Sequence, residues 1–280
     1  METQSDNWAR RALGRTGVAV SRLGLAASYG VPAAAIESAF ERGVNYLYWG
    51  TRRTEAFSTA LRNLRPHRER FLLVLQSYTR MASLMAGSLE RALRRVQYDH
   101  ADVLLLGLWN QPVAPRILDA ARRLRERGLA RYLAVSTHTR KLVPAIAAAR
   151  DFDAVHFRYN AAHPGAETDI FPHLPETGRP GLVAFTATSW GKLLGVRSLP
   201  AVVSAAVFSG GHSSLPQGER TPTAADCYRF VLSRPEVDVC LTGPADASQL
   251  EQALEALRLG SMTGEELAWM RRVGRAVGGK

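Results

Sequence analysis

Residues 88–106 read SLERALRRVQYDHADVLLL, and they hold the unit from which the rest of the chain is built. Leu89, Ala92, Leu93 and Val96 fall at i, i+3, i+4 and i+7, the spacing of one buried helix face. After a short polar turn, Val103 to Leu106 is apolar without interruption, as a strand covered on both faces must be. Outward from this unit, comparable runs stand at Leu23 to Ala26, Tyr46 to Tyr48, Phe71 to Leu75, Tyr132 to Val135, Ala154 to Phe157, Leu182 to Thr186 and Val237 to Leu241, making eight. Helical patterns lie between them, and Leu250, Ala253, Leu254 and Leu257 repeat the buried-face spacing near the end. Strands that alternate with helices pair in parallel, and eight of them predict a closed (β/α)8 TIM barrel, an α/β fold.

The 280 residues suit one such barrel, so a single domain over 1–280 is expected. Residues 1–10 read as a disordered lead-in, and 209–223, rich in Gly, Ser and Pro, as a mobile cover over one face. Gly14 and Gly17, within Arg11 to Val20, suggest a hairpin closing the barrel floor. Asp246 with Gln249, and Thr263 with Glu266, have capping-box spacing and mark the starts of the eighth helix and of an extra C-terminal helix.

Composition narrows the classes. Hydrophobic residues at 46% and charged ones at 22% allow a large core and exclude wholesale disorder. The net charge is +11, which invites a nucleic-acid partner. Against that, Lys141, Lys192 and Lys280 are the only lysines, and the arginines are scattered along the chain rather than gathered in a basic tail. No run approaches the roughly 18 apolar residues of a membrane span, and Met1 to Arg11 holds no apolar signal segment, so a cytoplasmic protein is expected. Cys227 and Cys240 fall in a helix and a buried strand and read as reduced core thiols, with no structural metal expected.

In a barrel of this kind the carboxyl ends of the strands converge on one bowl, where chemistry sits. That geometry places Tyr48, Trp49, Gln76, Gly107, Trp109, Ser136, His138, Arg158, Asn160, Thr186 and Trp190 around a single rim.

At these strand ends the sequence resembles the aldo-keto reductases. The blocks ALGRTGVAVSRLGL, GVNYLYWG, SLERALRRVQYDHADVLLL, LRERGLARYLAVS, FRYN, LVAFTATSWGKLLG and VCLTGPADASQLEQALEAL follow the family's order over nearly the whole chain. The resemblance implies NADP(H)-dependent hydride transfer by an Asp, Tyr, Lys and His tetrad. Here the Asp position is Tyr48, the Lys position Gln76 and the His position Gly107, while the Tyr position falls at Arg53 or Arg52. For the cofactor, the family's Ser-Asn pair reads Ser136-Thr137 and its Gln reads His156. Phe185 keeps the aromatic that stacks on nicotinamide, and Trp190, Gly191, Lys192 and Leu193 keep the outline of the pyrophosphate loop. Where many members hold the ribose phosphate with a basic residue and a Ser, this chain has Gly243 and Pro244, followed by Gln249, Gln252 and Ala253. The resemblance thus implies NADP or NAD, with no nicotinamide cofactor as the open alternative.

A lost site drifts towards small or apolar fillers, whereas this rim is polar and aromatic. Arginines and histidines around one concave mouth focus positive potential and favour a small anionic substrate. Tyr48 is a candidate proton donor beside Arg53 or Arg52, and His138 and His163 are candidate acid and base. Trp49, Arg52, Gln76, Trp109, Arg158 and Asn160 complete the substrate-binding set. Each has a plainer alternative, such as a packed Tyr48, a solvated arginine pair, a helix-opening His138, or an Arg158–Glu167 salt bridge. Three functions stay open: a rebuilt enzyme acting on a small anionic or carbonyl substrate by proton transfer, elimination or cyclisation; an NAD(P)H-dependent carbonyl oxidoreductase with a variant tetrad; and a catalytically silent barrel that binds a metabolite or partner.

Overall fold

A computed structural model describes residues 8–50, 53–195 and 218–278. Arg52 and positions 209–217 of the expected cover therefore lie outside the described residues, as does most of the expected lead-in. Trp8, expected to belong to that lead-in, is instead held: Arg22 stacks on its ring at 4.6 Å and its Nε1 donates to the Ala256 carbonyl at 3.4 Å.

The described chain enters through a hairpin of β1 (Arg10–Ala12) and β2 (Ala19–Ser21), paired antiparallel. The barrel strands follow as β3 (Leu23–Ala26), β4 (Tyr46–Trp49), β5 (Leu72–Ser77), β6 (Ala101–Leu106), β7 (Ala130–Thr137), β8 (Ala154–Arg158), β9 (Gly181–Phe185) and β10 (Val239–Thr242). All eight expected runs are strands, and they close in the order β10-β3-β4-β5-β6-β7-β8-β9. Every neighbouring pair is parallel. The helices between them are α1 (Ala33–Glu41), α2 (Glu55–Asn63), α3 (Ala82–Val96), α4 (Pro115–Glu126), α5 (Val143–Ala149), α6 (Ala166–Asp169) and α7 (Ala224–Leu232). After β10 come α8 (Ala247–Leu259) and the extra helix α9 (Gly264–Gly278). The side chain of Asp246 caps α8 through the Gln249 amide at 2.8 Å, and Thr263 and Glu266 exchange both capping-box bonds ahead of α9.

Two cores result from strand alternation. One lies between sheet and helices. The other fills the barrel with Tyr46, Leu72, Val74, Val103, Leu105, Ala134, Ala154, Val183, Val239 and Leu241, and the hairpin plugs it below with Leu13 and Val20. Gly14, at φ +44°, presses against the Pro180–Gly181 backbone so closely that any side chain there would overlap it.

The floor carries a repeated bracket. Asn45, Asp102, Asp153 and Asp238 stand at the start of every second barrel strand. Each accepts a backbone N–H from the preceding segment: Ser21 at 2.7 Å, Leu73 at 2.8 Å, Leu133 at 2.9 Å and Leu182 at 2.9 Å. Arginines neutralise the acids, with Arg68 2.7 Å from Asp102, Arg179 2.7 Å from Asp238 and Arg15 3.8 Å from Asp153. Arg15, Arg68 and Arg179 thus serve the barrel floor. Among the described residues, no helix is long and apolar enough to cross a membrane.

Candidate active site at the barrel mouth

Alternation decides which side chains reach the mouth. Tyr46 and Tyr48 point inward on β4, so Trp49 points outward, where it is fully buried in the helix-facing core. Trp49, expected to bind substrate, is therefore away from the bowl, with Arg53 stacked over its ring at 5.3 Å. The inward set at the strand ends is Tyr48, Gln76, Arg158 and Phe185, with Gly107 just past β6.

Tyr48 and Gln76 form a unit. The Tyr48 hydroxyl donates to Gln76 Oε1, and the Gln76 backbone carbonyl accepts from Arg53 Nη2 at 2.9 Å. Two glycines make room for it. A Cβ at Gly50 would overlap the Tyr48 ring, and one at Gly107 would overlap Gln76 Nε2 and meet the Tyr78 ring at 2.7 Å. The Gln76 amide thus occupies the space into which a side chain at 107 would project. Burial and Arg95 lower the Arg53 pKa, and the neighbouring Tyr48 pulls it back up. Beneath them His156 is 1% exposed and exchanges a 2.8 Å hydrogen bond with the Tyr46 hydroxyl. Burial depresses the His156 pKa to about 3, so the ring is neutral.

On the far side of the bowl stands Arg158. The salt bridge with Glu167 does not form, because Glu167 accepts from Arg271 at 2.8 and 2.9 Å and from the Tyr159 hydroxyl at 2.7 Å. Asp169, the other acid of α6, is taken by Arg140 at 2.8 Å. Arg158 is left without a carboxylate partner among the described residues, and its Nε is buried without a hydrogen bond. Burial, then Arg140, lowers its pKa. His138 lies beside it, edge-on to Phe185 with ring centroids 5.4 Å apart. Burial, then Arg158, lowers the His138 pKa.

His163 and Asn160 belong to a bracket instead. Asn160 is fully buried, donates to the Thr186 carbonyl at 2.7 Å and accepts from the His163 amide at 2.9 Å, while His163 Nδ1 lies 3.1 Å from its Oδ1. Ser136 Oγ accepts from the Leu108 amide at 2.8 Å, and the Ser136 carbonyl accepts from the Trp109 amide at 2.8 Å. Trp109 is 6% exposed under the Arg80 guanidinium, 4.0 Å from its ring centroid. Arg80 was not among the expected site residues, yet it donates to the Gly107 carbonyl at 2.9 Å and the Leu108 carbonyl at 2.8 Å. Leu108 sits at φ +48°, and Thr186, Ser189 and Trp190 have φ of 63°, 51° and 56°, so backbone strain gathers at this face of the barrel. Among the described residues, no group of three His, Cys, Asp or Glu could hold a metal.

A parallel barrel with a polar bowl at its strand ends defines a ligand-binding α/β barrel. The chain belongs to the aldo/keto reductase family, whose profile matches residues 34–274. It is similar in structure to the aldo-keto reductase AKR11C1 of Bacillus halodurans, with TM-scores of 0.73 to the apo form and 0.75 to the holo form, at 20% identity over 95% of this chain and 96% of that one. The Pseudomonas aeruginosa protein PA4992 matches with a TM-score of 0.64 at 19% identity, over 89% of this chain and 95% of that one. A search of curated proteins returned no match.

The nicotinamide dinucleotide implied by the family resemblance fits these residues poorly. Phe185 and the 190–193 loop keep its outline. However, the amides of Gly191, Lys192, Leu193, Leu194 and Gly195 all donate within the loop. At the ribose-phosphate end the Tyr29 ring lies over Gly243, and Gln249 accepts from the Ala245 amide at 3.0 Å. Residues 243–254 contain no Lys or Arg, so a 2′-phosphate meets an aromatic face and a helix cap where a cation is needed. Among the described residues, the ribose-phosphate end does not fit the 2′-phosphate of NADP(H).

Proposed function

We propose that this family member uses a rebuilt barrel mouth to bind a small anionic carbonyl substrate and act on it by proton transfer rather than hydride transfer. The observation that carries this reading is Arg158, a part-buried guanidinium with no carboxylate partner among the described residues, Glu167 and Asp169 of α6 both being engaged by other arginines. A cation kept from its protein partners at a concave mouth is a binding site for an anion. Tyr48, Gln76 and Arg53 support it from the opposite wall. Their interlocking with Gly50 and Gly107 supports a fitted site over decay. Tyr48 is the proposed proton donor, its single hydroxyl hydrogen resting on Gln76 Oε1 and turning to the substrate when one binds. His138 is the proposed base, because its neighbours favour the neutral imidazole.

Hydride transfer by a variant tetrad is the second reading, favoured by Phe185 at the mouth. It requires a nicotinamide dinucleotide, and since residues 243–254 offer a 2′-phosphate no cation, that cofactor would be NAD(H). The test of the proposal is calorimetric titration with oxalate and malonate. Wild-type protein should bind one of them, and Arg158→Met should weaken that binding at least tenfold, about 1.4 kcal/mol. Equal binding by both proteins would remove Arg158 from the site.

A further inference from the structure

Two histidines, His138 and His163, stand in the sequence as candidate acid and base at this mouth, and the structure separates them. His163 is fastened to Asn160 through its backbone amide and its Nδ1. His138 is fastened through its backbone: its amide donates to Asn110 Oδ1 at 2.9 Å, and Phe185 meets the ring edge-on. Its Nδ1 is buried without a partner, as is Arg158 Nε. Neither His138 Nε2 nor the Arg158 Nη atoms are among the buried unpartnered atoms, and neither side chain hydrogen-bonds to a described residue, so these nitrogens open to solvent. Arg158 is registered opposite Phe185 between β8 and β9, so anchor and imidazole share one aromatic neighbour.

We infer that this pair takes short 2-oxo carboxylates bearing a hydrogen on C3, with Arg158 as the anchor and His138 Nε2 as the base that exchanges that hydrogen. The inference rests on the anion-binding, proton-transfer reading above and names its substrate class. An anchor and a base that share Phe185 as a neighbour call for an acidic C–H near the carboxylate, and C3 lies two carbon–carbon bonds from the carboxylate carbon. In a 2-oxo acid one carboxylate oxygen and the oxo oxygen lie side by side, matching the planar fork of a guanidinium. His138 Nε2 takes the C3 proton, the C–H electron pair becomes the C2–C3 double bond, and the carbonyl pair moves onto the oxo oxygen, where Arg158 stabilises the enolate. Return of a proton from the imidazolium to C3 closes the cycle, with no oxidant, reductant or second substrate. The neutral imidazole required at the start is the form that burial and Arg158 favour.

The experiment follows 2-oxobutanoate in D2O by proton NMR, with binding of the same compound measured by calorimetry. Wild-type protein should exchange the C3 hydrogens faster than buffer. His138→Asn should bind equally but exchange roughly 100-fold more slowly. Arg158→Met should lose binding, and Arg158→Lys should recover part of it. Thermal melts check each variant, and His138→Gln replaces His138→Asn should the latter not fold. Binding by wild type without exchange above buffer, or full exchange by both His138 variants, overturns the inference and leaves the anion site standing. Failure of wild type to bind 2-oxobutanoate, oxalate or malonate overturns the underlying reading as well.

Discussion

Replacing His156 by Gln should flatten the acid side of the stability curve. His156 is buried inside the barrel, with Tyr46 as its hydrogen-bond partner at 2.8 Å, and burial depresses its pKa from 6.5 to about 3. Between those values the unfolded chain carries a proton on this ring and the folded chain does not. The contribution to stability is therefore complete above pH 6.5 and is lost as the pH falls towards 3, at about 1.4 kcal/mol per pH unit. Descending from 6.5 to about pH 5 should cost about 2 kcal/mol through this group alone. Gln offers the Tyr46 hydroxyl a partner but does not titrate. Urea unfolding of both proteins at about pH 7.5 and about pH 5 cancels the carboxylates and the other histidines, which are common to both. The wild-type advantage over His156→Gln, whatever its value at neutral pH, should fall by about 2 kcal/mol at the lower pH. A difference that stays constant would show that His156 is not held neutral by burial and would refute the reasoning.

Asp238→Ala should destabilise by about 3–5 kcal/mol in urea melts, because it strands Arg179 and removes the acceptor for the Leu182 and Gly14 amides. Gly107→Ala should cost about 1–3 kcal/mol by displacing the Gln76 amide and the Tyr78 ring, and a Gln76→Ala cycle should show coupling between the two sites. Arg158→Met should raise the thermal midpoint while weakening anion binding, since it removes a part-buried charge with no carboxylate partner; a lowered midpoint would mean that Arg158 serves the fold.

The barrel was legible because strands covered on both faces read as unbroken apolar runs. Only their ends moved. β10 starts at Val239, two residues into its apolar run, and β7 extends to Thr137 beyond the apolar core of its run. The bracket escaped notice because each member is a single polar residue whose partner lies 20 to 56 positions away. The site was legible in position more than in orientation. Tyr48, Gln76 and Arg158 reach the bowl as expected, whereas Trp49 faces outward, which the period of two could have shown from Tyr46 and Tyr48. Gly107 reads in sequence as a lost catalytic position, but in space it is the complement of Gln76, a relation that crosses strands and leaves no local trace. Arg158 and Glu167 are near in sequence, yet α9 brings Arg271 to Glu167 and frees Arg158.

The central claim is that the mouth has left hydride chemistry, and titrations with NADPH and NADH test it most directly. The chain holds five tryptophans, and Trp109 and Trp190 follow strands β6 and β9 on the strand-end face, so bound dinucleotide should be visible as quenched fluorescence. The account predicts no saturable quench up to millimolar NADPH or NADH, with oxalate or malonate still binding in the same preparation. Saturation by either cofactor at micromolar concentration would contradict it.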